Sequence, residues 1–182
     1  GQNASFTINR ASSNFTHTLS VAMGSYSNTI KTKTTDASFS WGVPDLSQYL
    51  SNGSTNANAT YTLITYNGNT EIGRSTKTVT YSLPAKSTVN AGNVKMGSSV
   101  NVTIATAFSS YRHTVTYKFG NTTGTIATKT DKTTIEWTPP KSLADQIPNA
   151  TTGTCTITIR TYARSASGYG TTDLGTNTKD IT

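Results

Sequence analysis

Residues 15–24 read FTHTLSVAMG, and residues 111–120 read YRHTVTYKFG. In the first stretch Phe15, His17, Leu19, Val21 and Met23 occupy alternate positions, with Thr16, Thr18, Ser20 and Ala22 between them. In the second the same row holds Tyr111, His113, Val115, Tyr117 and Phe119. A period of two sends one row to a buried face and the other towards solvent, as in a half-buried β-strand. Gly24 and Gly120 follow at matched places and supply a turn after each strand.

The two stretches start 96 positions apart (111 − 15), and that offset holds well beyond them. It lays Phe6 and Ile8 on Val102 and Ile104, TIKTKT on TIATKT, SFSWGVP on TIEWTPP, and ATYTLITY on CTITIRTY. After Tyr66 and Tyr162 the second copy carries six extra residues, and the match resumes with IGRSTKTVT over LGTNTKDIT. Paired Trp, His, Gly and Pro at one constant spacing mark a tandem duplication. The expected domains are residues 1–86 and 95–182. Residues 87–94 form the linker, in a connection that contains Pro84 and several small polar residues.

Composition agrees with an all-β chain. Hydrophobic residues make up only 33% of 182, while threonine alone supplies 39. Threonine is β-branched, which suits a pleated, half-buried surface better than a helix interior. Phe39 with Trp41, and Ile135 with Trp137, are predicted to face inward on a further strand. Tyr61 and Leu63, and Ile157 and Ile159, do so on a late strand, with Val79 and Ile181 on the last. PDLSQYL and KSLADQI are the only helical hints; Asp45/Gln48 and Ser142/Asp145 resemble capping boxes. About seven strands per copy, an inward Trp and one short helical turn predict two tandem immunoglobulin-like β-sandwiches.

The chemistry-bearing residues are few. His17 and His113, the only histidines, lie inside apolar rows and are expected to be structural core positions, as are Trp41 and Trp137. A metal site would need companion ligands at repeated positions, and the acids Asp36, Asp45 and Glu71 have none at the same offset, so no metal or cofactor is expected. The eight carboxylates select no acid–base pair, and there is neither a nucleophile elbow nor a glycine-rich phosphate loop. No enzymatic role is expected.

The single Cys155 leaves no internal disulfide to form. The formal charge of +7 is dispersed, with no Lys/Arg run of the kind a nucleic-acid partner would call for. No apolar run is long enough to insert in a membrane as a helix. Entry into a strand-like pattern directly after Gly1 is the texture expected of a piece of a longer chain. One stretch stands out as a contact site: the hairpin after Tyr162, ARSASGYGTTDLG, with Arg164 and Tyr169 in the extra residues. Arg160 and Tyr162 precede it on the outward face. Tyrosine and arginine among hydroxyls can stack on and bond to a sugar; an ordinary elongated hairpin is the plainer alternative.

The runs SSNFTHTLSVAMGSYSNTI and SSYRHTVTYKFGNTTGTI, SFSWGVP and TIEWTPP, and YTLITYNGNTEIGRSTKTVTYSLP resemble a repeated domain of uncharacterised function. That domain occurs in minor structural proteins of tailed phages infecting Gram-positive bacteria, streptococci in particular. Its markers here are His17/His113, Gly24/Gly120, Trp41/Trp137, Tyr66/Tyr162 and Gly73/Gly175. The resemblance implies a virion component at or near the tail tip or host-adhesion device, extracellular when it meets the host. It implies a spacer or decoration module whose partners are other domains of the same tail protein. Two alternatives stand beside it: a module binding host cell-wall glycan, where mild positive charge would help against polyanions, and the stalk of a bacterial surface adhesin. A trimeric fibre could use the Thr- and Lys-bearing edges TIATKT and STKTVT, which otherwise discourage open-ended pairing.

Overall fold

The structure is a computed structural model and describes residues 3–182. The chain divides into two compact units, Gly1–Leu83 and Pro84–Thr182. In the second unit β7 (Thr88–Asn90), β8 (Val100–Ala105) and β11 (Thr134–Trp137) form one sheet in the order β11-β8-β7. The facing sheet runs β10-β9-β12-β13, with β9 at Arg112–Phe119, β10 at Thr122–Thr130, β12 at Cys155–Ser165 and β13 at Gly168–Ile181. All pairings are antiparallel. Three strands face four, and the fourth strand in chain order joins the sheet of the third. This is the fibronectin type III variant of the immunoglobulin-like sandwich.

The first unit repeats the plan. Here β1 (Asn3–Thr7) pairs with β4 (Ser38–Gly42), and the facing sheet runs β3-β2-β5-β6, from Tyr26–Thr34, Phe15–Met23, Asn56–Asn67 and Thr70–Ser82. The registers of the two units differ by the sequence offset alone. Ala4 lies opposite Trp41 as Val100 lies opposite Trp137, and His17 opposite Thr65 as His113 opposite Thr161. Gly24 and Gly120 adopt φ values of 56° and 55°, which a residue with a Cβ rarely takes.

The alternating rows close two separate cores. In the second unit Val102 and Ile104 from one sheet meet Val115, Ile157 and Ile159 from the other, with Trp137 among them. In the first, Leu19, Val21, Met23 and Tyr61 are the buried centre, and half-buried Trp41 packs against them. Aromatic rings replace the aliphatic centre there: Phe6 stacks on Phe39 with centroids 5.3 Å apart and lies 5.2 Å from Tyr61. Cys155 and its counterpart Ala59 are both buried core residues.

Three sequence expectations need correction. Residues 87–94 are not a free linker, because Thr88–Asn90 is a strand and Val89 is buried in the second core. The division falls at Leu83/Pro84 instead. The first unit has six strands among the described residues rather than seven. The one short helical turn per unit is present as expected, as 3₁₀ turns at Ser47–Tyr49 and Lys141–Gln146, but neither has a side-chain bond at its N-cap. Leu46 and Pro140 hold those cap positions, so the capping-box residues are displaced from the geometry they would need. Asp45 still accepts from the Ser47 N–H at 2.9 Å, a local turn bond.

Val89→Ala should therefore destabilise the second unit by about 2 kcal/mol in denaturant titration, the cost of a core truncation. A solvated linker position would move stability by less than about 0.5 kcal/mol.

Candidate functional site

Alternation along β12 sets the site. Ile157, Ile159, Thr161, Ala163 and Ser165 are buried, which turns Arg160, Tyr162 and Arg164 onto the outer face of the four-stranded sheet. The six extra residues lengthen the β12–β13 hairpin rather than forming a loose loop. Ser165 pairs with Gly168 across the turn, and the Ser165 and Thr171 hydroxyls lie 2.6 Å apart. The Ser167 N–H donates to Ser165 Oγ at 3.1 Å. The hairpin tip is thus held by its own hydroxyls.

Tyr169, 52% exposed, is the most exposed large hydrophobic side chain of the second unit among the described residues. The guanidinium carbons of Arg164 and Arg112 each lie 4.5 Å from its ring centroid. Arg164 Nη1 also reaches Tyr169 Oη at 3.4 Å. Cations against an aromatic face are held by the ring quadrupole. Arg112 comes from β9 and is fixed from behind, donating to the Tyr111 carbonyl at 2.9 Å and to that of Ser109 at 3.2 Å. Gly170, with φ of 67°, lets the hairpin pass over Arg112 and Lys129; a Cβ there would lie 3.4 Å from both side chains.

Lys129 extends the group. Its Nζ lies 5.2 Å from the Tyr162 ring centroid, as that of Lys33 does over Tyr66 in the first unit. Both lysines adopt a left-handed backbone, with φ of 42° and 43°. Each sits at a register shift, and its N–H is taken by a threonine hydroxyl of the neighbouring strand, Thr114 at 3.2 Å or Thr18 at 3.1 Å. Such a conformation costs on the order of 1 kcal/mol or more, and both repeats carry it.

Of the four predicted contact residues, Arg164 and Tyr169 touch each other and Tyr162 lies beneath Lys129. Arg160 is separate: its Nε donates to Asp173 Oδ2 at 2.8 Å, and Asp173 also accepts from the Gly175 N–H at 2.8 Å. These bonds hold the Asp173 carboxyl below its ordinary range and raise the Arg160 guanidinium further. Sequence reasoning missed Arg112 and Lys129. Arg112 was findable as the neighbour of an inward histidine, which must point outward. The left-handed lysine had no such signal. The assembled face (Arg112, Lys129 and Arg164 with Tyr162 and Tyr169) offers stacking surfaces beside cations, chemistry suited to a ring-shaped or anionic ligand.

The histidines lie inside the sandwich. His17 Nδ1 is 3.1 Å from Thr65 Oγ1, and His113 Nε2 is 2.9 Å from Ser87 Oγ. Burial lowers both pKa values, helped by the nearby charges of Arg10 and Arg112 respectively. Among the described residues no group of three or more His, Cys, Asp or Glu could hold a metal ion. A cavity of ≈ 730 Å³ opens at the opposite end of the second unit, lined mainly by apolar groups including Phe119, Trp137, Leu143 and Ile147.

The family model described as "Siphovirus protein of unknown function (DUF859)" matches residues 1–86 and again residues 82–181. The chain belongs to this siphovirus family. Each match covers one copy of the duplication, so the family's unit is the single sandwich. No curated protein matches the chain. Among solved structures it is similar to the crystal structure of the chicken CNTN1 FN1-FN3 domains at 10% identity and a TM-score of 0.33. That alignment covers 92% of this chain, which spans 56% of the length of that one. No helix is long and apolar enough to cross a membrane among the described residues.

Burial lowers both histidine pKa values in the fold, whereas the unfolded chain titrates near the ordinary value of 6.5. The unfolded state then binds more protons in mild acid, so stability is complete above about pH 6.5 and falls below it. His113→Gln should flatten the decline of the second unit's melting temperature between about pH 6.5 and about pH 5, read by calorimetry across pH.

Proposed function

We propose that the two units are non-enzymatic structural modules of a phage virion, acting as spacer or decoration domains within a tail or host-adhesion protein. What supports this is the content of the duplication. The matched residues His17/His113, Trp41/Trp137, Gly24/Gly120 and Lys33/Lys129 serve core, turn or strand register in both copies. Of the candidate face only the Lys129–Tyr162 pair recurs, as Lys33–Tyr66, while the Arg112–Tyr169–Arg164 group belongs to the second unit alone. Membership of a siphovirus family supports a place in the virion, with other domains of the same tail protein as the partners. A trimer is compatible with this role, since β3, β6, β10 and β13 are all edge strands.

A second reading rests on the cation–tyrosine face of the second unit. Its three cations and two rings suit weak recognition of host cell-wall glycan, an anionic wall polymer of a streptococcal or other Gram-positive host above all. Sedimentation of the full chain with isolated cell walls, at low and physiological salt, separates the two. The structural reading expects dissociation constants weaker than about 1 mM, with residual binding lost as salt rises. Specific binding that survives physiological salt, and falls more than about tenfold (about 1.4 kcal/mol) in Arg164→Ala or Tyr169→Ala, would replace the structural reading with the glycan one.

A further inference from the structure

The repeats share their strand registers but not their strand number. In the second unit β7 lies along the edge of β8, with Val89 opposite Ile104 and Asn90 opposite Thr103. It is fastened on several sides. The Val89 N–H donates to Asn177 Oδ1 at 3.0 Å, the Ser87 N–H to Thr161 Oγ1 at 3.1 Å, and Ser87 Oγ lies 2.9 Å from His113 Nε2. Residues 84–91 thus connect the last strand of one unit to the next and also supply the next unit's first strand.

The first unit has the matching seat without a strand in it. At the offset of 96 the counterpart of Thr88–Asn90 would fall ahead of residue 1. The edge of β1 away from β4, equivalent to the β8 edge that β7 covers, has no strand against it among the described residues. A groove of ≈ 390 Å³ lies there, lined by Phe6, Ile8, Leu63, Ser75 and Val79 among others. Four of these correspond to second-unit residues that β7 covers or bonds: Phe6 to Val102, Ile8 to Ile104, Leu63 to Ile159 and Ser75 to Asn177. The exposure follows. Val79 is 37% exposed where its counterpart Ile181 is 3% exposed. Phe6 and Leu63 are half-buried where Val102 and Ile159 are fully enclosed. His17 is buried, yet its Nε2 lacks a partner at the atom where His113 meets Ser87. The deficit is apolar, backbone and polar at once: the β1 edge, Phe6, Leu63 and His17 map to the absent counterpart of Ser87–Asn90, and Val79 to that of Asn93 and Val94, which bond Thr182 beside Ile181.

We infer that the groove of the first unit is a strand-acceptor site, completed by an extended segment of the Ser87–Ala91 kind delivered in cis from polypeptide joined ahead of the unit. A hydroxyl would meet His17 Nε2, a β-branched apolar side chain would cover Phe6 and Leu63, the residues following it would pass beside Val79, and a backbone ladder would close the β1 edge. The second unit shows that occupant seated on the equivalent groove. Each repeat is then completed by the segment that joins it to what precedes it.

The test places residues 84–96 ahead of Gly1 in the full chain, which keeps the repeat spacing because Gly97 aligns with Gly1. Hydrogen exchange and thermal melting are compared with and without the added segment. The inference expects amide exchange in β1 and in residues 75–79 to slow by on the order of tenfold or more, and the first unit to melt about 10 °C higher. Val89→Asp made in the added copy alone should abolish both changes, while the original Val89 keeps the second unit intact. Unchanged exchange in β1 beside protected β8 would overturn the inference. So would a concentration-dependent dimer of the original chain with β1 already protected, since the occupant would then be a strand from a second copy.

Discussion

Everything in each unit hangs on one pair of central strands, β2 against β5 and β9 against β12. Their in-register pairing sets the inward row of both strands together: Leu19 opposite Leu63 and Val21 opposite Tyr61 in one, Val115 opposite Ile159 and Tyr117 opposite Ile157 in the other. A slip by one residue would send every one of those side chains to the solvent face. With a third of the chain apolar, no surplus exists to repair such an error. The histidine and threonine that face each other in this pair add a polar constraint within the same row. A register that separates His17 from Thr65 loses a buried hydrogen bond as well as hydrophobic contact.

The two cores are filled by different volumes. Where the second unit places Val102, Ile135 and Ile157, the first places Phe6, Phe39 and Tyr61. The larger rings fill space between the sheets and stack on one another. The Tyr61 and Tyr81 hydroxyls pair beside them, and burial together with that pairing raises the Tyr61 pKa. Aromatic packing thus accompanies the thinner sheet of the first unit, though it leaves Val79 uncovered.

What was legible in the sequence was whatever repeated. The period of two, the turn glycines and the buried histidines could each be checked against a second copy, and the sandwich follows from them. Thr88–Asn90 had no such check, since its counterpart would lie before residue 1, and one valine among small polar residues reads like a connector. The candidate site was half legible. Arg164 and Tyr169 stood out because they fall in the inserted residues, but their third member sits on a neighbouring strand far away in sequence. Sheet pairing brings Arg112 to them, and no local pattern records it. The left-handed Lys33 and Lys129 were hidden for a different reason: glycine or asparagine is the usual marker of that conformation, and here a threonine hydroxyl on the next strand substitutes for it.

The strand at Thr88–Asn90 also governs how the chain would bear a pull. A tensile load passing from the first unit to the second enters through residues 84–94, and so meets the three paired residues of β7, with Val89 seated in the core, before any other strand of the second unit. The ladder to β8 and the bonds from Ser87 and Val89 would carry that load first. Their release frees about ten residues, on the order of 35 Å of extended chain, and withdraws Val89 from the core behind them. The joint is thus a short, re-formable length of slack in series with two stiff bodies.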